Sequence, residues 1–227
     1  MLSSIGNVKR GADGTRPPVP PHVVYASYTG DRSGSMGTQM DASATGVYEW
    51  VKEISSGCIN NGQEGYVNVV FFDSISDVRM DYLNVEDVEI SMKQARNWSR
   101  PRGSTKLYDT AIMEINKLRR KINEHKEKHP QLKVKGIFQL FSDGYDNSSM
   151  HTKEFLNEAI KAARKDGITC YYLGIGQDAI EIGKQYGFSQ DESLTVDVGD
   201  STAGVAFRSC SLNALLRESI GNLCLRL

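Results

Sequence analysis

Two rhythms of apolar residues alternate along the chain. Dense β-branched and aromatic runs occur at Val23-Val24-Tyr25-Ala26-Ser27-Tyr28, Tyr66-Val67-Asn68-Val69-Val70-Phe71-Phe72-Asp73, Val134 to Phe141, Ile168 to Gly174 and Leu194 to Val198. Each predicts a strand with both faces largely covered. Between them, apolar positions three and four apart predict amphipathic helices. One carries Met36, Met40, Val47, Trp50, Val51 and Ile54 and ends near Gly57. A long one carries Leu107, Ala111, Ile112, Ile115, Leu118 and Ile122. Others carry Phe155, Ala159, Ile160 and Ala163 before Gly167, or run over Ala179–Tyr186 and Thr202–Ile220, and a short polar helix is expected from Val85 to Trp98. Asp77 to Tyr82 alternates apolar with polar and follows the second strand after only Ser74-Ile75-Ser76, which predicts an antiparallel edge hairpin. Strands alternating with helices predict an α/β fold, a doubly wound and mainly parallel sheet with helices on both faces.

Composition narrows this to ordinary globular protein: 227 residues, 39% hydrophobic and 24% charged, with no visible repeat. A formal net charge of -1 gives no general attraction to nucleic acid or anionic lipid. No run approaches the ~20 apolar residues of a membrane span, and the first residues lack a signal-peptide core. A cytoplasmic or virion-borne protein is expected. Residues 1–22 hold Gly6, Gly11, Gly14 and Pro17-Pro18-Val19-Pro20-Pro21, a flexible arm ahead of a domain at 23–220 and a tail at 221–227. Cys58, Cys170, Cys210 and Cys224 show no paired spacing and are expected to be free thiols. The stretch Lys106 to Lys135 has nine Lys/Arg against four Asp/Glu, but without interleaved aromatic residues it suits a solvated face better than a nucleic-acid surface.

The candidate chemistry gathers where strands give way to helices. Gly30-Asp31-Arg32-Ser33-Gly34-Ser35-Met36-Gly37 places a carboxylate and two hydroxyls at alternate positions. Asp143 follows another apolar strand, and Gly103-Ser104-Thr105 leads into the long helix. In an open parallel sheet, loops at the carboxyl ends of strands share one rim. Asp31, Ser33, Ser35, Thr105 and Asp143 would then form an all-oxygen shell of the kind hard divalent cations take. Taken alone, the first loop also fits a Gly/Ser turn capping the next helix.

These residues resemble the metal-ion-dependent adhesion site of the von Willebrand factor A family, whose motif is DxSxS, a distant Thr and a distant Asp. Here it is Asp31-Arg32-Ser33-Gly34-Ser35, Thr105 and Asp143. Gly103-Ser104-Thr105-Lys106-Leu107-Tyr108-Asp109 resembles the family's GxTxLYDA-type loop, and Ser142-Asp143-Gly144-Tyr145-Asp146-Asn147-Ser148-Ser149 its TDGxxNSS-type strand end. Leu173-Gly174-Ile175-Gly176-Gln177-Asp178-Ala179 is similar to small single-domain bacterial, phage and large-virus members. The sequence departs at Tyr28-Thr29-Gly30, where the family runs aliphatic residues into the first Asp.

The resemblance implies a six-stranded sheet of order 3-2-1-4-5-6 with strand 3 antiparallel. It implies Mg²⁺ or Mn²⁺ contacted by Ser33, Ser35 and Thr105, with Asp31 and Asp143 as direct or water-bridged ligands. Gly34 and Gly144 would support them, and Asp109 would act as a helix cap or an anchor behind the ligands. The partner would be a protein presenting a Glu or Asp carboxylate, and its affinity could be coupled to the last helix.

Catalysis is not expected. Of the four histidines only His151 falls near the rim, and no G-x-S-x-G frame accompanies the serines. Gly174-Ile175-Gly176-Gln177-Asp178-Ala179 matches a loose dinucleotide pattern but lies late in the chain. The competing expectation is a structural subunit of a virion or complex that uses the fold as a scaffold. Removing metal would abolish partner capture by an adhesion module and leave a scaffold unaffected.

Overall fold

A computed structural model describes residues 23–176, 178–196 and 200–216. The proposed arm and tail, Cys224 and the far end of the last helix lie outside these residues. The strands are β1 (Val23–Asp31), β2 (Glu64–Phe72), β3 (Ser76–Asn84), β4 (Val134–Ser142), β5 (Ile168–Ile175) and β6 (Ser193–Val196). The helices are α1 (Met40–Asn60), α2 (Met92–Trp98), α3 (Leu107–Lys128), α4 (Lys153–Lys165), α5 (Ala179–Tyr186) and α6 (Asp200–Leu216). The sheet order is β3-β2-β1-β4-β5-β6. Only the β2–β3 pair is antiparallel, as the short link between them predicts.

Alternation along β1 divides the core in two. Val24, Ala26 and Tyr28 face a cluster built with α1, α2 and α6, while Val23 and Tyr25 face one built with α3, α4 and α5. All nine residues of β1 are buried, so the strand is covered on both faces, with Ser27, Thr29 and Asp31 as buried polar positions along one of them. The Tyr28-Thr29-Gly30 departure has a steric reason. A Cβ on Gly30 would lie 2.6 Å from the Tyr28 ring and 2.9 Å from Phe71, so the large Tyr28 ring requires glycine two residues on.

Two expected boundaries move. Gly57 does not end the first helix, which continues to Asn60. Its missing side chain instead admits α6, because a Cβ there would lie 2.4 Å from Leu215 Cδ1. Gly46 does the same for the Phe207 ring, also at 2.4 Å. The polar helix expected from Val85 to Trp98 is broken into a 3₁₀ turn at Val85–Asp87 and α2. A capping box, Ser91 with Gln94, starts α2 afresh. The three cysteines among the described residues, Cys58, Cys170 and Cys210, are buried and in no disulfide.

Phe207 is wedged between Tyr28 and Phe141, with ring centroids at 6.1 and 5.1 Å. It cannot yield to a methyl group at position 46, whereas the Leu215 methyl facing position 57 can rotate. Overpacking costs about 1–3 kcal/mol, against a helix-propensity gain of about 1 kcal/mol for Gly to Ala. Gly46→Ala is therefore expected to lower the melting temperature, and Gly57→Ala to leave it near the native value. Thermal unfolding measures both, and a Gly46→Ala chain as stable as the native one would contradict this packing.

Candidate metal centre

Asp31 is the last residue of β1 and lies between Phe72 of β2 and the end of β4. Because these strands are parallel, their carboxyl ends open on one rim. The Asp31 side chain is 0% exposed. Its Oδ1 accepts from the Ser33 amide at 2.8 Å, and its Oδ2 accepts from Ser142 Oγ at 2.7 Å. The Ser33 and Ser35 hydroxyls lie 3.1 Å apart. The chain then enters a 3₁₀ turn, Gly34–Gln39, whose cap position is Ser33, yet no side chain caps that turn. The hydroxyls are thus not spent on the capping role that Gly/Ser turns usually give them.

Backbone bonds tie the other two loops to this one. Gly34 donates to the Gly103 carbonyl at 3.2 Å, and Arg102 donates to the Arg32 carbonyl at 2.9 Å. Thr105 is held by its backbone: its amide donates to Asn147 Oδ1 at 2.8 Å, and its carbonyl accepts from the Asn147 and Ser148 amides, each at 3.1 Å. The loop after β4 also caps α3, since Leu107 N donates to Asp146 Oδ1 at 2.9 Å and Asp109 N to Ser149 Oγ at 3.0 Å. Asp109 is an anchor and not the cap of its own helix. Its carboxylate accepts from the Met150 and His151 amides at 3.0 and 2.9 Å and lies 2.7 Å from His151 Nδ1. Gly144, at φ 82°, donates to Ser142 Oγ at 2.9 Å and accepts from the Tyr186 hydroxyl at 2.8 Å.

Electrostatics set the site apart. Asp31 and Asp143, the latter 7% exposed, form no ion pair among the described residues. Burial pushes the Asp31 carboxyl from 3.8 up to about 7; hydrogen bonds from Ser142 and Ser33 oppose this, and the negative charge of Asp143 adds to it. Asp109 shows the opposite balance. Burial would raise it, but bonds from His151, Met150 and Lys106 outweigh that and hold it down at about 2.

The nearest cation in sequence, Arg32, is buried and engaged elsewhere. Its Nε donates to Asp73 Oδ2 at 2.9 Å and its Nη2 to Asp77 Oδ2 at 2.8 Å. At Asp73, burial raises the carboxyl, yet bonds from Arg102, the Ile75 amide and Arg32 leave it below its ordinary value.

No three His, Cys, Asp or Glu side chains cluster as a metal site among the described residues. The candidate set has two carboxylates only, and the remaining donors are hydroxyls. Oxygen donors of that kind suit Mg²⁺ or Mn²⁺ and are poor ligands for soft metals. Two buried carboxylates with no basic partner also leave a charge deficit that a dication would fill. Ser142, Asn147, Asp146 and Arg32 were not singled out as site residues from the sequence, although all but Arg32 stand in the motif around Asp143.

The other candidates resolve simply. His151 is bound to Asp109. The amides of Ile180 and Glu181 at the start of α5 donate to Asp178 Oδ1 at 3.0 and 3.1 Å, so the chain's own carboxylate occupies the place a phosphate would take.

No protein-family model matches the chain, and no curated protein does. Its fold is shared with solved structures. The pilus adhesin SpaC from Lactobacillus rhamnosus GG superposes with a TM-score of 0.62 at 16% identity, over 88% of this chain and 31% of that one. Proximal thread matrix protein 1 from the mussel byssus gives 0.57 at 15%, over 86% of this chain and 47% of that one. A von Willebrand factor type A structure from Catenulispora acidiphila gives 0.54 at 19%, over 84% and 42%. Another structure of the byssus protein, at 0.54 and 14%, has a zinc-occupied MIDAS motif. The chain spans less than half the length of each of these proteins. At such identities the likeness establishes the fold, a von Willebrand factor A-like α/β sheet.

Because the folded chain disfavours the ionised Asp31 side chain, it binds that proton more tightly than the unfolded chain does. In buffer free of divalent ions, stability is expected to fall as pH rises from the ordinary value of 3.8 through about 7 and then to level off. Asp31→Asn should remove most of that slope. Denaturant midpoints at about pH 5 and about pH 8 measure it, and an equal slope in both chains would contradict the assignment.

Proposed function

We propose that this chain is a divalent-metal-dependent protein-binding module that captures an acidic residue of a partner. The observation that carries the reading is the pair of buried carboxylates, Asp31 and Asp143, set on one rim beside the Ser33 and Ser35 hydroxyls without a basic partner. Bound Mg²⁺ or Mn²⁺ would supply an electrophilic point with room for one more oxygen. Asp31 and Asp143 would hold it through their charge, and Ser33, Ser35 and Thr105 through neutral oxygens. Two carboxylates balance a dication, so a partner's Glu or Asp would meet no net negative charge. Tyr145, 70% exposed, and Met150, 85% exposed, stand on the loop after β4 and offer apolar surface for a protein partner. The pilus adhesin and the metal-bearing byssus protein among the structural neighbours support this reading. The buried thiols Cys58, Cys170 and Cys210 suit a reducing compartment, which favours a cytoplasmic location.

Calorimetric titration with Mg²⁺ and Mn²⁺ tests this. Saturable binding is expected in the native chain and should be lost in Asp143→Ala. Uptake by neither chain would overturn the reading in favour of a scaffold whose assembly ignores chelators.

A further inference from the structure

Asp73 stands just beyond β2 and bears none of the expected ligand atoms, yet every polar atom it has is engaged. Its amide donates to the Ile75 carbonyl at 3.1 Å, and its carbonyl accepts from Lys106 N at 2.8 Å. Its Oδ1 accepts from Ile75 N at 3.0 Å and Ser74 Oγ at 3.2 Å. Its Oδ2 accepts from Arg32 Nε at 2.9 Å and Arg102 Nε at 2.6 Å. Arg32 lies between Asp31 and Ser33, and Arg102 and Lys106 bracket Thr105. A single buried carboxylate therefore grips both hydroxyl-bearing loops.

We propose that Asp73 is the positioning residue that sets the Asp31–Ser35 loop against the Thr105 loop, acting through Arg32 and Arg102. The proposal rests on the metal-binding reading above. Charge-assisted guanidinium–carboxylate bonds are short and directional, so they fix the loops more tightly than the neutral backbone bonds beside them. The same contacts manage a charge. Arg32, one residue from Asp31, would oppose a dication if it were unpaired. Asp73 and Asp77 pair with it and turn its guanidinium away from the rim loops, Asp77 also accepting from Arg79 Nη2 at 2.7 Å and lying 3.5 Å from Arg102 Nη2. Arg102 is the replaceable arm, since its side chain is 51% exposed whereas Arg32 is buried.

The test uses the full chain with Asp73→Asn, which keeps the shape and removes the charge, and Arg102→Met, which removes the exposed arm alone. Mg²⁺ affinity is read by calorimetry, and loop order by hydrogen exchange at the amides of Gly34, Arg102 and Lys106. Asp73→Asn is expected to weaken Mg²⁺ binding about tenfold to a hundredfold, as loss of a partner behind a metal ligand does. Arg102→Met should weaken it less, by up to about fivefold, as for a half-exposed ion pair. Both should speed exchange at those amides while the β1 and β4 amides stay protected, a selectivity that general destabilisation would not produce. Should Asp73→Asn fail to fold, Arg102→Met decides the matter by the same two readings. Native affinity and unchanged loop exchange in the folded variants would overturn the proposal. If the native chain takes up no metal, the functional reading falls by itself, and loop exchange still decides whether Asp73 braces the rim.

Discussion

The Asp31 carboxylate is carried into the protein by the strand that ends in it. β1 is the central strand, buried along its whole length and flanked by β2 and β4, so its last side chain cannot reach solvent. An ionised group in that position must be satisfied locally or lose its charge. The Ser33 amide and the Ser142 hydroxyl supply hydrogen bonds, but no basic side chain is paired with it, and Asp143 adds a second negative charge. Among the described residues the other buried acids have a basic side chain acting on them: Asp73 pairs with two arginines, Glu192 with Arg164 at 3.0 Å, and Glu114, which accepts from Asn68 at 2.9 Å, feels the charge of Lys117.

The rest of the rim follows from sheet order. Parallel strands β1 and β4 deliver two loops to one edge, the Thr105 loop between α2 and α3 joins them there, and each loop is fastened to the next. Gly34 meets Gly103, Thr105 meets Asn147 and Ser148, and α3 begins on amides capped by Asp146 and Ser149. This organisation accounts for small residues that the pattern alone does not explain. Gly30 exists because Tyr28 lies over it, and Gly46 and Gly57 flatten α1 so that α6 can approach.

Much of this was legible in the sequence because the signals were local. Strand runs separated by helical spacing gave the parallel sheet, and three residues between β2 and β3 gave the antiparallel edge. The alternation of Asp31, Ser33 and Ser35 marked the first loop without reference to any distant residue. What stayed hidden depends on contacts far apart in the chain. Gly57 resembles a helix stop until Leu215 is seen against it. Arg32 fills an unspecified place in a motif, and its partner Asp73 lies 41 residues away. Ser142 becomes informative only when β4 is laid beside β1, 111 residues from Asp31. Asn68 is a polar residue inside an apolar run, and nothing local predicts its bonds to Ser27 and Glu114.

The unpaired carboxylates of Asp31 and Asp143 are proposed to share a divalent cation with the neighbouring hydroxyls. Anomalous diffraction from crystals grown with Mn²⁺ tests this most directly, because the ion reports its own position. One strong peak is expected on the rim, bonded to Ser33 and Ser35 and within direct or one-water reach of Asp31, Thr105 and Asp143. A rim without a peak at saturating Mn²⁺, or a peak held by other residues, would contradict it.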